Sequence, residues 1–152
     1  MTIRIPYPSV PKNLMGAMMH VENHIKTCGF SIKFLELLRV RVAQINACAY
    51  CIDMHYKEAL AAGEEPLRLY SLPTWRDTDF YDAREMAALA WCEAITDIQK
   101  TSNFDTLFAE MQKHFKEDEI AHLTLAITQI NSWTRLVKPF GFTPGLYQAG
   151  VY

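Results

Sequence analysis

Apolar positions recur at helical spacing along most of the 152-residue chain. Between residues 10 and 28 they return every three or four positions, and Gly29 then follows as a stop signal. Ser31 is a typical N-cap for a second helix that ends at residue 45. The pattern therefore predicts an all-α fold that starts with helices over residues 10–28 and 31–45.

Residues 31–45 also carry the alternation that a half-buried strand would show, because Val40 and Val42 alternate with arginines. Their uninterrupted length favours a helix, since strands average about six residues. At about 100° per residue, the apolar positions form two stripes on opposite sides of that helix. A helix that is apolar on two sides is typical of the centre of a fold. Glu36 lies in the second stripe and is expected in apolar surroundings.

Helical spacing continues through the rest of the chain. The predicted helices cover residues 48–62, 65–70, 82–97, 104–115 and 118–137. Gly63 occupies the position after a helix that favours a left-handed backbone, and Pro139 is expected to stop the last helix. Residues 71–80 lack a periodic apolar pattern, which indicates a linker. With no visible repeat and a length near that of one domain, residues 1–152 are predicted to form a single domain.

Composition and charge exclude several classes of protein. Half of the residues are apolar and 21% are charged, which is typical of a folded globular chain and not of a disordered one. Fifteen Lys and Arg against 17 Asp and Glu give a net charge of −2, so nucleic-acid binding is disfavoured. No window approaches the roughly 18 apolar residues of a membrane span, and residues 1–11 lack the apolar core of a leader. We therefore expect a cytoplasmic protein that does not enter membranes.

Cys48, Cys51 and His55 form the most informative group of residues. The cytosol keeps cysteine pairs reduced unless they perform redox chemistry or bind metal. On a helix, spacings of three and four residues place these three side chains on one face. The start of a helix favours thiolate over thiol, a nearby imidazole can accept the thiol proton, and the second cysteine can close a disulfide. The spacing therefore indicates reactive sulfur.

Three other interpretations of this group stay open from the residues alone. Cys-x2-Cys-x3-His supplies three zinc ligands, although no second cysteine pair is available to complete a structural site. A thioredoxin-type motif would need a strand before the first cysteine, where the pattern predicts a helix. The cysteines could also serve as small buried apolar residues.

The spacing Glu36-x11-Cys48-x2-Cys51-x3-His55 resembles the AhpD-like branch of the carboxymuconolactone decarboxylase family. The Gln-Ile-Asn that precedes the cysteines and the segment at 57–64 are similar as well. The likeness extends to the helix predicted at 82–96 and to the closing segment at 130–133. Decarboxylases of the same superfamily generally lack the cysteine pair, so the resemblance is to the peroxidase branch.

The resemblance implies an all-helical fold in which a Cys-x-x-Cys at the start of a central helix reduces hydroperoxides. By carry-over, Cys51 attacks the peroxide and becomes a sulfenic acid. Cys48, at the exposed end, would close the disulfide and then meet the external reductant. His55 would accept the proton of Cys51, and Glu36 would hold or relay it. The apolar surroundings expected for Glu36 predict a raised pKa for its carboxyl group, which suits acid–base work. The alternative is a carboxylate that reaches solvent between helices.

The resemblance also implies partners for the chain. No cofactor and no metal are expected, and the substrates would be a hydroperoxide and a dithiol reductant of the lipoamide or thioredoxin type, or a peroxiredoxin partner. Family members commonly assemble as trimers or hexamers, and the apolar segment after residue 137 supports a homo-oligomer. The alternatives are a binding module with a redox switch, a metal-held module, and a lyase of the decarboxylase type.

Two further groups of residues receive structural interpretations. His20 and His24 lie four residues apart on one helix, as metal ligands often do, but no third ligand lies nearby in the sequence. A solvated helix face is the interpretation for this pair, and His122 shows no partner pattern. Cys28 and Cys92 are predicted to be buried and inert.

Overall fold

The computed structural model describes residues 2–100 and 103–150. Within those residues the chain forms seven α-helices and no strand, which confirms the all-α prediction. The helices are α1 Lys12–Lys26, α2 Ile32–Ile45, α3 Ala49–Ala61, α4 Pro66–Ser71, α5 Ala83–Thr96, α6 Phe104–Gln112 and α7 Glu117–Phe140. Of the helices in this described part, none is both long enough and apolar enough to span a bilayer.

Helix α2 forms the centre of the fold, as its two apolar stripes predict. It packs against α3, α5 and α7. Leu37 and Val42 have no exposed surface, and Val40 on the second stripe is 1% exposed. The predicted N-cap is also present, because Ser31 Oγ accepts the backbone N–H of Phe34 at 3.2 Å. Of the helices that build the site described below, α3 and α7 pack directly on α2, and α1 packs on α7.

The turn between α2 and α3 delivers the first cysteine directly to a helix start. Ala47 adopts the left-handed conformation with φ of 48°, and the backbone N–H of Cys48 then bonds the carbonyl of Ala43 at 2.9 Å. This is the hydrogen bond of a Schellman motif, in which the left-handed position is usually glycine. Cys48 is also the N-cap of α3, since its Sγ accepts the N–H of Cys51. One residue therefore ends α2 and begins α3.

The predicted linker at 71–80 is mostly ordered as a helix. Leu72–Asp77 forms a 3-10 helix, in which Leu72 is fully buried and Trp75 is 5% exposed. Trp75 Nε1 donates to Glu93 Oε1 on α5 at 2.9 Å. A six-residue 3-10 helix is too short to produce a visible apolar period, so the sequence pattern missed it.

Helix α7 continues past the proline that was expected to stop it. Pro139 lies inside its last turn, and Gly141, with φ of 83°, ends the helix. The N-terminal segment bonds the carbonyls at this end: Arg4 Nη1 donates to Pro139 O at 2.7 Å, and the Arg4 backbone N–H donates to Phe140 O at 2.7 Å. A proline in the last turn forfeits one hydrogen bond, and partners for the neighbouring carbonyls make that loss tolerable.

The apolar segment after α7 folds back onto α3 of the same chain. The backbone N–H of Gly145 donates to Asp53 Oδ2 at 2.8 Å, and Lys57 Nζ donates to Tyr147 O at 2.9 Å. The Tyr147 hydroxyl donates to Glu58 Oε1, which also accepts the Gly150 N–H at 2.9 Å. These contacts tie the segment to its own chain but leave Leu146 87% exposed, and the homo-oligomer stays a prediction from the resemblance.

Candidate functional site

Cys48 and Cys51 are joined by a disulfide at the start of α3. The two sulfurs are 2.22 Å apart, and the Cα atoms are separated by 5.3 Å. Cys48 is 1% exposed and Cys51 is 3% exposed, so surrounding helices cover both residues. The predicted cysteine pair is therefore close enough in space for the two thiols to react with each other.

The two sulfurs differ in what they face. Cys51 lines a cavity of about 290 Å³, and Cys48 does not. The expectation that Cys48 lies at an exposed end is wrong, because the Schellman turn seats it between the end of α2 and the start of α3. Cys51 is therefore the sulfur that a small molecule in the cavity meets.

The cavity is largely apolar. Its walls come from α1, α2, α3 and α7 together with the segment after α7. The apolar and aromatic lining consists of Tyr7, Met15, Met19, Phe30, Ile32, Leu35, Tyr50, Met54, Ile130, Trp133, Val137, Phe142 and Tyr147. Unbranched methionines and large rings shape such a space without fixed polar partners, which suits a ligand with an apolar body.

His55 and Glu36 meet at the wall of the same cavity. His55 lies one turn beyond Cys51 on α3, and Glu36 reaches it from α2. The distance between His55 Nδ1 and Glu36 Oε2 is 2.7 Å, and the two side chains are 9% and 4% exposed. Of the four predicted site residues, the structure brings Cys51, His55 and Glu36 to one cavity, with Cys48 bonded behind them.

The carboxyl group of Glu36 differs from its predicted behaviour. Burial raises its pKa, but the charges and hydrogen bonds of His55 and Arg39 outweigh burial, and the pKa lies below its ordinary value. The prediction of a raised pKa considered desolvation alone and is wrong. An ionised carboxylate accepts hydrogen bonds only, so Nδ1 of His55 carries the shared proton. His55 Nε2 is the other ring nitrogen, which Glu36 does not bond.

The buried ion pair extends beyond the predicted residues. Arg39 Nη1 donates to Glu36 Oε1 and Arg39 Nη2 donates to Glu22 Oε2, both at 2.7 Å. Trp133 Nε1 donates to the other oxygen of Glu22 at 2.8 Å. The chain of contacts His55–Glu36–Arg39–Glu22–Trp133 thus joins α3, α2, α1 and α7. The i, i+3 spacing of Glu36 and Arg39 was visible in the sequence, whereas Glu22 and Trp133 carried no such signal.

Asn131 holds the turn that carries the cysteines. Its Oδ1 accepts Asn46 Nδ2 at 2.8 Å, and its Nδ2 donates to Thr96 Oγ1 at 3.1 Å. Lys138 Nζ donates to the carbonyl of Asn46 at 2.7 Å. Because Asn46 lies two residues before Cys48, α7 positions the start of the cysteine helix through these bonds.

The two other cysteines lie in different environments. Cys92 has no exposed surface, and burial raises the pKa of its thiol to about 12, so the prediction of an inert residue is confirmed. Cys28 is half-buried, and the prediction that it is buried is wrong. It follows α1 directly, where the chain turns toward α2.

Comparison with known proteins identifies the family. The sequence profile of the carboxymuconolactone decarboxylase family matches residues 12–94, which include the cysteines, His55 and Glu36. The protein belongs to that family, and its fold and cysteine pair define it as a member of the AhpD-like branch.

Several relatives cover nearly the whole chain. The uncharacterized protein YdfG of Bacillus subtilis strain 168 is 38% identical over 141 residues, which span 93% of this chain and 96% of YdfG. A structure from Agrobacterium tumefaciens is described as a protein of unknown function and a candidate antioxidant defence protein AhpD. It is 32% identical, covers 96% of this chain and all of its own, and superposes with a TM-score of 0.90.

A more distant structure shares the fold. A peroxidase-related protein from Ralstonia eutropha JMP134, described as an alkylhydroperoxidase AhpD core, superposes with a TM-score of 0.78. At 16% identity, with 89% of this chain and 72% of that chain covered, the likeness concerns the architecture alone.

Proposed function

We propose that the protein reduces hydroperoxides through a redox couple of Cys51 and Cys48. The observation that carries the proposal is the difference between the two sulfurs: Cys51 faces the cavity, and Cys48 lies behind it within bonding distance. A thiol that meets the oxidant beside a thiol that can close a disulfide is the arrangement such a reaction needs. The AhpD-like relatives, one of them described as a candidate antioxidant defence protein, support the same activity.

In the oxidative half of the cycle, the Cys51 thiolate attacks the terminal hydroxyl oxygen of the hydroperoxide, the O–O bond breaks, and the alkoxide is the leaving group. Cys51 becomes a sulfenic acid, and the alcohol leaves after it takes up one proton. The Cys48 thiol then attacks the sulfenic sulfur, which forms the disulfide and releases water. The two thiols lose two electrons in all, and the peroxide gains them.

His55 handles the proton in this scheme. It accepts the proton of Cys51 at Nε2 and returns it to the leaving alkoxide. Glu36 acts through His55, because an ionised carboxylate on Nδ1 fixes the tautomer and stabilises the imidazolium that forms. Glu36 is therefore a positioning residue, and Arg39 in turn keeps it ionised.

In the reductive half, an external dithiol attacks the disulfide. The dithiol is itself oxidised to a disulfide, and both cysteine thiols are restored. A lipoamide-type or thioredoxin-like dithiol, or a peroxiredoxin partner, fits this step. The apolar lining favours hydroperoxides with a small hydrocarbon body over hydrogen peroxide.

Thiol counting on the fully reduced protein tests the proposal. One equivalent of cumene hydroperoxide should remove two of the four thiols in the wild type, and dithiol should restore them. Cys48→Ser should lose one thiol and accumulate a sulfenic acid that dimedone traps at Cys51. Cys51→Ser should lose none on the same timescale, and His55→Ala should react more slowly near neutral pH.

Two controls give the test its meaning. Cys28→Ser removes the half-buried thiol and should still lose two thiols, which excludes oxidation at Cys28. Dimedone labelling at Cys48 in the Cys51→Ser variant, at the wild-type rate, would reverse the assignment of the two cysteines. A wild type that keeps all its thiols would refute peroxidase activity.

A further inference from the structure

A second cluster of reactive side chains lies away from the cavity. His24 on α1, Cys28 just after α1 and His122 near the start of α7 present ligand atoms that all lie within 4.8 Å of one another. Nearly 100 residues separate His122 from the other two, so the fold alone creates the cluster. His20, the other member of the histidine pair seen in the sequence, does not belong to it.

We propose that His24, Cys28 and His122 bind one Zn²⁺ ion. Two imidazole nitrogens and one thiolate are donors that zinc prefers, and the cluster offers no carboxylate for a hard cation such as Mg²⁺. A tetrahedral zinc needs donor atoms roughly 3.3 to 3.6 Å apart, given its usual bond lengths. The ligand atoms therefore have to close by at most about 1.5 Å, which side-chain rotation can supply, because His24 is exposed and the other two are half-buried.

The geometry of the cluster favours a shared ion over simple ring packing. The imidazoles of His24 and His122 lie 5.3 Å apart between ring centres and are tilted by 53°. Within residues 2–100 and 103–150, neither ring is held by a hydrogen bond to another protein group, so both keep a nitrogen available. Cys28 Sγ contacts the His24 carbonyl at 3.3 Å, which holds the sulfur beside the rings. Water would complete the coordination from the exposed side.

A zinc ion at this position would tie α1 to α7. Ile25 is the buried residue of α1, so this helix has a small share of the core. The same helix supplies Met15, Met19 and Glu22 to the cavity wall. The proposed ion would hold that wall in place through the last turns of the same helix, and it would also shield the Cys28 thiol.

Cobalt binding to the tag-free protein tests the site, with the Cys48–Cys51 disulfide intact so that those thiols cannot bind metal. One equivalent of Co²⁺ should produce a thiolate-to-cobalt charge-transfer band, and Zn²⁺ should displace it. Cys28→Ser should abolish the band, and His122→Ala should weaken binding by more than about tenfold. His20→Ala is the matched control, since His20 is exposed on the same helix, and it should bind as the wild type does.

Two readouts separate the site from general effects on folding. Zn²⁺ should raise the melting temperature of the wild type and of His20→Ala, and leave that of Cys28→Ser unchanged, because a ligand of the folded state stabilises it. Zinc should also protect Cys28 from alkylation. The absence of a thiolate band in the folded wild type, or equal binding by wild type and His122→Ala, would overturn the proposal.

Discussion

Arg39 joins two largely buried carboxylates of the site, Glu36 and Glu22. Its side chain is 11% exposed, and it bonds one carboxylate on α2 and another on α1, each at 2.7 Å. Breaking a buried ion pair leaves an uncompensated charge in a medium that solvates it poorly, which typically costs about 3–5 kcal/mol. Together with His55, which has the larger effect, Arg39 also lowers the pKa of Glu36 and so helps to keep that carboxyl group ionised.

Replacement of Arg39 by Met should therefore lower the free energy of unfolding near neutral pH by about 3–5 kcal/mol. Urea denaturation measures the loss. Arg76→Met is the matched control, because Arg76 pairs with Glu93 but is 58% exposed, and its loss should cost no more than about 1 kcal/mol. Equal losses in the two variants would mean that water reaches the Arg39 pairs as freely as it reaches the surface.

At the scale of elements, α7 ends where the N-terminal segment crosses it. Gly141 has φ of 83°, and its N–H bonds the carbonyl of Val137 at 3.0 Å. A Cβ at this position would lie 2.3 Å from the backbone oxygen of Thr2. Gly63, after α3, has nearly the same φ of 84° but no atom within 4 Å of a Cβ built there. The two helix ends therefore share a backbone conformation and differ in their surroundings.

Replacing each of these two glycines by alanine should separate the strain of a left-handed residue from the clash with the N-terminal backbone. Gly63→Ala should lose about 1 kcal/mol of stability, which is the strain of a left-handed residue with a Cβ. Gly141→Ala should lose that amount and about 1–3 kcal/mol more from the contact with the N-terminal backbone. Thermal or urea unfolding of both variants checks the difference. A loss at Gly141 no larger than that at Gly63 would show that the N-terminal segment moves away at little cost.

The helices could be predicted wherever their signals lie within a few residues. The N-cap Ser31 and the start of α5 at Asp82 carry their own capping side chains, and both are confirmed. The end of α7 was missed, because the partners that stabilise the turn at Pro139 come from Arg4, far away in the sequence. The 3-10 helix at Leu72–Asp77 was missed because its anchor is a hydrogen bond from Trp75 to another helix.

The candidate site could likewise be predicted where its signals come from a single helix, and was missed where its partners lie far apart in the sequence. Cys51 and His55 could be linked from the sequence because one helix turn joins them. The burial of Glu36 could also be predicted, because it lies on an apolar stripe of its helix. Trp133 lies 111 residues from the Glu22 that it bonds, and no local pattern connects such a pair. The ionisation of Glu36 was predicted wrongly for another reason, because desolvation was considered without the charges and hydrogen bonds of His55 and Arg39 that outweigh it.

For the molecule as a whole, the two most buried of the carboxylates whose pKa is lowered, Glu36 and Glu93, link stability to pH. Burial raises the pKa of Glu36 and of Glu93, but cationic and hydrogen-bonding partners lower each below the ordinary value of 4.5. A carboxyl group with a lower pKa in the folded state stabilises the fold above the pKa of the unfolded chain. That contribution is lost as the pH falls from about 4.5 through the folded-state values.

The urea midpoint should therefore stay level from neutral pH to about pH 5 and fall steadily below about pH 4.5. Glu93→Gln should start lower at neutral pH and show a shallower fall, because one of the titrating groups is gone. Glu65→Gln, at an exposed position, is the control and should reproduce the wild-type slope. If the urea midpoint of Glu93→Gln fell with pH as steeply as that of the wild type, Glu93 would not contribute to the loss of stability in acid.

The burial of Cys48 has a consequence for steady-state kinetics under the proposed function. Since Cys51 lines the cavity and the buried Cys48 does not, the dithiol has to attack the disulfide at Cys51, through the cavity that the hydroperoxide also uses, and not at Cys48, where the resemblance placed the reductant. Turnover should then be ping-pong, with parallel double-reciprocal lines at low concentrations of both substrates. At high concentration each substrate should act as a competitive inhibitor of the other, because the hydroperoxide and the dithiol bind in the same cavity and exclude each other.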